Sequence, residues 1–359
     1  MFPFNLNKQL SETEIISSNK LNEDFALIEL SDRRVFFGRG PFTRSAEPSK
    51  NDVSFYVNDF NLSSTVPWYI PSSYEEIDFA EITKLSNNKP LPKLQWDEPH
   101  YEDFKQCFDQ ITDLRVNGSL QKIVPAVISS APLVDPSSYC FNFINSSFPH
   151  LPSLSAYGFS ENGQGFVGLS PEQIFKLNSS ELQTMALAGT SNSDNNTLFE
   201  NDDKELHEHQ LVVDSLNRRL NFFGSIQESQ REILDIGGMI HFLSKFSVTL
   251  SKEHKIDDII RSLHPTPALG TVPRTNATID LLNQFRSDFN VPPMFGSPFG
   301  IKIGNFFESI VLIRGLFFTT NSLQLPTGCG IVEGSLIDKE WDELAFKSRW
   351  VKSSLGLNQ

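Results

Sequence analysis

The chain has 359 residues, 39% hydrophobic and 21% charged, with a formal net charge of -14 at pH 7. This is enough chain to bury one large core or two closely joined ones, and its negative field excludes nucleic acid and anionic lipid as partners recruited by bulk charge. Three scattered cysteines without CxxC spacing, Cys107, Cys140 and Cys329, argue against both a disulfide framework and a zinc site.

The first residues, MFPFNLNKQLSETEI, carry no basic-then-apolar leader pattern, and no run approaches about 18 apolar residues, so a cytoplasmic protein without a membrane partner is expected. Residues 25–37, FALIELSDRRVFF, predict a hairpin turning at Ser31-Asp32-Arg33. Residues 66–94, rich in Pro, Ser and acidic side chains, read as a surface connection. Between Tyr101 and Leu120 the apolar positions Phe104, Cys107, Phe108, Ile111 and Leu114 recur at helical spacing. A strand, KIVPAVIS, begins at Lys122, and Pro125 inside it requires an edge or bulged position because it cannot donate to a ladder. Four runs, LSAYGFS, GFVGLS, EQIFKL and ELQTMALAG, read as an antiparallel meander with turns at Asn162-Gly163 and Asn178-Ser179-Ser180. SNSDNNTLFENDD reads as a mobile loop, followed by a helix over about 204–222 and a second, DDIIRSL, ending at His264-Pro265. Strands GIKIG and SIVLIRGLFFTT precede TGCGIVEGS and a C-terminal helix from about Lys339. Strand-rich stretches on both sides of central helices predict an α+β fold of two sheets packed with helices. The bias of 31 Phe against 6 Tyr reads as core filling.

Two acidic clusters stand out. In KELHEHQ, residues 204–210, the side chains of His207 and His209 point about 200° apart on a helix and cannot share an ion, whereas Glu205 can share a face with Glu208 or His209. In EWDELAFK, Glu340, Glu343 and Lys347 lie within roughly 60° of one another on a helical wheel. Each cluster is either a solvated helix face or a source of one hard oxygen ligand for Mg2+, which usually takes one or two protein carboxylates beside water and a substrate anion. GCG at 328–330 can bring backbone N–H groups close to a carboxylate. Arg314, a charge in an apolar run, needs either a structural carboxylate or a substrate carboxylate as partner. Lys122 and Glu172 sit at strand ends where burial can tune a base or an acid.

In unbroken order over roughly 101–357, KIVPAV, GLSPEQIF, ALAGTS, KELHEHQLVVDSL, LHPTPALG, FGSPFGIKIG, VLIRGLFF, TGCGIVEGS and EWDELAFKSRWV resemble the chorismate-utilising enzymes. The resemblance implies the chorismate-binding fold of two large, mostly antiparallel sheets, with 101–359 as catalytic core and 1–100 as a β-rich part of the same fold. It implies Lys122 as general base, Glu172 as general acid, and Glu208 and Glu343 as Mg2+ ligands with Glu340 beside them. It also implies Gly189 and Thr190 beside the substrate ring, His264 near the metal-bound carboxylate, and Arg314, Gly328 and Lys347 on substrate carboxylates. LHPTPALG and the absence of an AGTRPRG segment are similar to isochorismate synthases, which supply menaquinone or siderophore synthesis, rather than to salicylate or amino-transferring relatives. The expectation is therefore a monomer acting on chorismate without an amidotransferase subunit. Pro125, and Val127 where the family commonly has Arg, depart from its pattern.

Overall fold

The structure, a computed structural model, describes residues 24–79, 81–82, 90–145 and 151–357; the segment MFPFNLNKQLSETEI lies outside them. Two large sheets dominate. The eight-stranded sheet runs, in spatial order, through Ser73–Ile77, Val35–Arg39, Phe25–Glu29, Ser155–Glu161, Gln164–Ser170, Gly315–Phe318, Ser322–Gly328 and Ala126–Pro132. In the ten-stranded sheet the order is Gly224–Glu228, Met239–Leu250, Glu181–Asn192, Gln173–Asn178, Phe306–Val311, Pro298–Ile303, Ser54–Val57, Trp68–Ile70 and Thr43–Ser45, with Glu232–Asp235 added against Met239–Leu250. The named pairings are antiparallel.

Phenylalanines fill the space between the sheets, as edge-on rings do well in a dry core. Phe166 of one sheet meets Phe299 of the other at 5.2 Å, and Phe159 meets Tyr69 at 5.3 Å, both edge-on. The helix Tyr101–Val116 buries Phe104, Cys107, Phe108 and Ile111, the stripe its periodicity predicts, and packs with Asn276–Asp288 and Ile337–Ser354 in a separate apolar cluster. All three cysteines are buried and free, and no described helix is long and apolar enough to cross a membrane.

The hairpin at 25–39 forms as expected, but five readings change. The connection at 66–94 contains the strand Trp68–Ile70, whose Trp68 is fully buried, because an indole that size is worth more inside than on a surface linker. The expected loop at 191–203 is ordered: the preceding strand runs to Asn192, and Phe199 stacks on Phe242 at 4.1 Å. KIVPAVIS is two strands. Lys122–Ile123 pairs with Thr271–Val272, whereas Ala126–Pro132 forms the edge of the eight-stranded sheet, and the break falls at Val124-Pro125 where the ladder donor is missing. SIVLIRGLFFTT is likewise broken, since Arg314 adopts a left-handed φ of 57° between Phe306–Val311 and Gly315–Phe318.

That second break is one of four passages between the two large sheets, the others lying between Arg39 and Thr43, Ile70 and Ser73, and Ser170 and Gln173. The four strands expected as a single meander divide between the sheets: the chain leaves the eight-stranded sheet at Ser170 and enters the ten-stranded one at Gln173. It returns between Val311 and Gly315. The crossovers at 171–172 and 312–314 lie side by side, because Gly168 pairs with Gly315 and Gln173 with Ile310. Glu172 and Arg314 are the charged residues they carry.

Candidate active site

The helix Asp203–Leu220 starts where the Asp202 carboxylate accepts from the Lys204 and Glu205 amides, an N-cap that orients the first turn. Spacings of three and four then direct Lys204, Glu205 and Glu208 to one face. The C-terminal helix Ile337–Ser354 brings Glu340, Glu343 and Lys347 to the same place. Lys204 Nζ lies 3.0 Å from Glu205 Oε1, 3.3 Å from Glu208 Oε2 and 3.2 Å from Glu340 Oε1. Lys122 Nζ is 2.9 Å from Glu208 Oε1. Although that is ion-pair distance, Lys122 Nζ has no hydrogen-bond acceptor in alignment among the described residues. Lys347 donates to Glu343 Oε1 at 2.5 Å and to Gly328 O at 2.9 Å. These are not solvated helix faces: Glu205, Glu208, Glu340 and Lys347 are buried.

A small cavity of about 50 Å3 adjoins the cluster. Glu172, Gly189, Thr190, Glu208, Arg314, Gly328 and Lys347 line it, together with His241, Ala268, Leu269 and Gly330. Beside it a cleft of about 440 Å3 is lined by Thr190, Lys204, Glu205, Glu340 and Glu343. Of two larger hollows, that of about 580 Å3 shares Pro171 and Glu172 with the small cavity and that of about 630 Å3 lies elsewhere, but neither gathers the acidic cluster with its lysines. Lys122 stands one side chain behind the wall, against Glu208 and Gly330. A Cβ at Gly330 would sit 2.1 Å from Glu208 Oε1 and 3.1 Å from Lys122 Cε, so any larger residue there would push this pair out of its present geometry.

Burial pushes the Glu172 carboxyl up to about 7, against opposing pulls from the Thr266 hydroxyl and from Lys122 and Arg314. Burial also raises Glu205 to about 8 and Glu340 to about 7. Glu208 goes the other way: burial would raise it, but the ammonium groups of Lys122 and Lys204 outweigh that and hold it well below the carboxylate range. Lys204, despite burial, is held strongly protonated by the surrounding carboxylates.

Opposite the carboxylates, His241 Nδ1 donates to Gly189 O at 2.7 Å and lies 3.2 Å from Thr190 Oγ1, while Nε2 lies 3.4 Å from Arg314 Nη2. A proton on Nδ1 directed at Gly189 O leaves Nε2 free to accept from Arg314. Burial and Arg314 depress the imidazole to about 3, so it is neutral. The guanidinium of Arg314 has no carboxylate within ion-pair distance among the described residues and an unpartnered Nε, which leaves it available to an anion.

One expected site residue is corrected. His264 does not line the cavity; its Nε2 donates to Phe60 O at 2.7 Å and its ring packs edge-on against Phe60. The helix ending at Leu263 turns the imidazole into the protein, while the residues that follow, Ala268 and Leu269, reach the cavity instead. The cavity histidine is His241, overlooked in the apolar strand Met239–Leu250 although a lone imidazole in MIHFLSKF was a signal. His207 is exposed, and His209 is buried, bonded to Ser244 Oγ at 3.0 Å.

Among the described residues no three His, Cys, Asp or Glu side chains are arranged to hold a metal ion. Mg2+ needs only one or two protein carboxylates, and the cluster has the right chemistry: hard oxygens only, with Glu340 Oε2 buried and unpartnered and a lysine ammonium already drawn among three carboxylates.

Fold and site together define a class, a two-sheet antiparallel α+β scaffold that sets an acid, a lysine and an arginine around a cavity beside paired carboxylate helices. A family described as chorismate binding enzyme matches residues 60–356, and the chain belongs to that family. It is 29% identical over 217 residues to an isochorismate synthase of Bacillus subtilis, covering 56% of this chain and 44% of that protein. To the isochorismate synthase of Escherichia coli it is 27% identical over 293 residues, 76% of this chain and 66% of the relative. The matches thus span less than two thirds of these relatives' lengths. The structure of the menaquinone-specific isochorismate synthase from Escherichia coli superposes with a TM-score of 0.75 at 20% identity, covering 99% of this chain and 93% of that one. The last comparison concerns the fold.

Proposed function

We propose that the protein is an isochorismate synthase, converting chorismate to isochorismate with Mg2+ as cofactor. The observation that carries this reading is the gathering of Glu172, Arg314 and Lys347 about one cavity, with Lys122 one side chain behind its wall against Glu208. Lys122, an ammonium while it pairs with Glu208, acts once that proton has left: as a neutral amine it takes a proton from water as the water oxygen bonds to C2 of the ring. The double bond shifts, the C4–O bond breaks, and Glu172 in its protonated form delivers a proton to the departing hydroxyl, so water is consumed and released once each. Burial supports this role by keeping Glu172 protonated up to about pH 7. Arg314 and Lys347 pair with the substrate carboxylates, Gly189 and Thr190 flank the ring, and Gly328 orients Lys347 through its carbonyl. His241, neutral, aims Arg314.

Glu208 and Glu343 would hold Mg2+, with Glu340 beside them; when bound, the ion would neutralise charge at a substrate carboxylate as a Lewis acid. The reading includes a cytoplasmic monomer that works without an amidotransferase subunit. Incubation with chorismate and MgCl2 should yield isochorismate by chromatography, and Lys122→Ala should lower turnover by about 10²–10⁴-fold while chorismate still binds. Salicylate fluorescence without an added lyase, or an aminated product with ammonia, would overturn the assignment.

A further inference from the structure

Glu172 has one side-chain partner of its own. Thr266 Oγ1 lies 2.7 Å from Glu172 Oε1, and both residues are buried. The two backbones that present them are pinned separately. On the acid's side, Ser170 Oγ donates to Val311 O at 2.7 Å and accepts from the Glu172 amide at 3.3 Å, and Val311 N–H donates to Glu172 O at 3.0 Å. On the threonine's side, Arg219 Nη1 donates to Leu263 O at 2.9 Å and Pro265 O at 2.8 Å. Thr266 O closes a turn by accepting from the amides of Leu269 at 3.0 Å and Gly270 at 2.8 Å. The hydroxyl-to-carboxyl contact is therefore set by two rigid pieces of chain rather than by side-chain chance.

We propose that Thr266 is a positioning residue for proton transfer: its hydroxyl donates to Glu172 Oε1 and thereby confines the transferable proton of Glu172 to Oε2. A protonated carboxyl has one oxygen that donates and one that accepts. The contact to Glu172 is the single side-chain hydrogen bond of Thr266 among the described residues. If Oε1 carried the proton and donated to Thr266, the threonine hydrogen would be left unpaired in a buried place, which is costly. With Thr266 donating, both groups are satisfied and Oε2 is the oxygen that gives the proton away. The same bond favours the ionised carboxyl, so it also restrains how far burial raises Glu172.

This inference rests on the proposed role of Glu172 as acid, and its test separates the two. In pH-rate profiles with chorismate and MgCl2, Thr266→Val should lower kcat by about 10- to 100-fold, the cost of misplacing a reacting group by a fraction of its reach. KM should stay near the wild-type value, the alkaline limb should move to higher pH, and Thr266→Ser should restore both rate and limb. A Val variant with wild-type kcat and limb overturns the inference, as does a rate loss that Ser does not repair. Thr266→Ala serves if the Val side chain prevents folding. Independently of turnover, 13C NMR titration of labelled Glu carboxyls, with Glu172→Gln as the assignment control, should show the Glu172 titration moving to higher pH in the Val variant. An unmoved titration overturns the hydrogen bond even if wild-type activity is absent, whereas absent wild-type activity with a moved titration counts against the proposed function alone.

Discussion

Lys204 is the side chain on which the acidic cluster turns. Its ammonium contacts Glu205, Glu208 and Glu340 from the first turn of one helix, reaching across to another. Four buried or half-buried carboxylates close together repel one another strongly in a medium of low dielectric, and a tethered cation offsets this. Removing one partner of a buried ionic cluster leaves uncompensated charge at a cost of about 3–5 kcal/mol. Lys204→Met should therefore lower the thermal midpoint in chelator, and MgCl2 should restore more stability to this variant than to the wild type. Equal responses of the two proteins to Mg2+ would show that lysine and metal do not use the same carboxylates. The histidines divide in a parallel way: His264 is bonded to Phe60 O away from the cavity, and His241 faces it.

At the level of elements, the site is assembled where regular structure stops. Glu172 and Arg314 occupy adjacent crossovers between the sheets, where a side chain is released from the in-out alternation of a strand. Lys122 owes its place to the break at Val124-Pro125, which separates its two-residue strand from the edge of the eight-stranded sheet. Gly330 follows the last strand of that sheet and leaves space for the Lys122–Glu208 pair. In Gly330→Ala the methyl group would displace the Glu208 carboxylate, and because both lysines hold that carboxylate, their geometry would change with it. The expected result is a fall in kcat/KM of about 10²-fold with an unchanged far-ultraviolet circular dichroism spectrum. A variant of normal activity would mean that the pair can be moved without consequence.

For the whole molecule, buried acids set the pH response of stability. Glu29, Glu172 and Glu340 are each raised to about 7 and Glu205 to about 8 by burial, from an ordinary 4.5. A carboxyl raised on folding binds its proton more tightly in the native state. Its contribution is therefore fully present below pH 4.5 and lost as pH rises through about 7 to 8. Glu208, which is lowered, titrates below this window. In chelator, and above the range where the lowered imidazoles of His209, His241 and His264 act in the opposite sense, the thermal midpoint should be higher at pH 7 than at pH 8.5, by about 2–4 °C for each kcal/mol lost. A midpoint flat across this range in calorimetry would show that the buried carboxyls keep their ordinary values in the fold.

Local pattern was enough for much of the architecture. Helical spacing identified the buried stripe of Tyr101–Val116 and the shared face of Glu340, Glu343 and Lys347, and turn residues marked the hairpins, because these features depend on neighbours within a few positions. The motif order over 101–357 was enough for the family and for most of the residues around the cavity. Tertiary structure alone decided which sheet each strand joins, where apparently continuous strands break, that the acidic helix faces are buried, and which histidine reaches the site. Each of these depends on contacts between residues far apart in the chain. A one-residue break reverses the face a side chain occupies, and no local spacing records where the opposing element will stand.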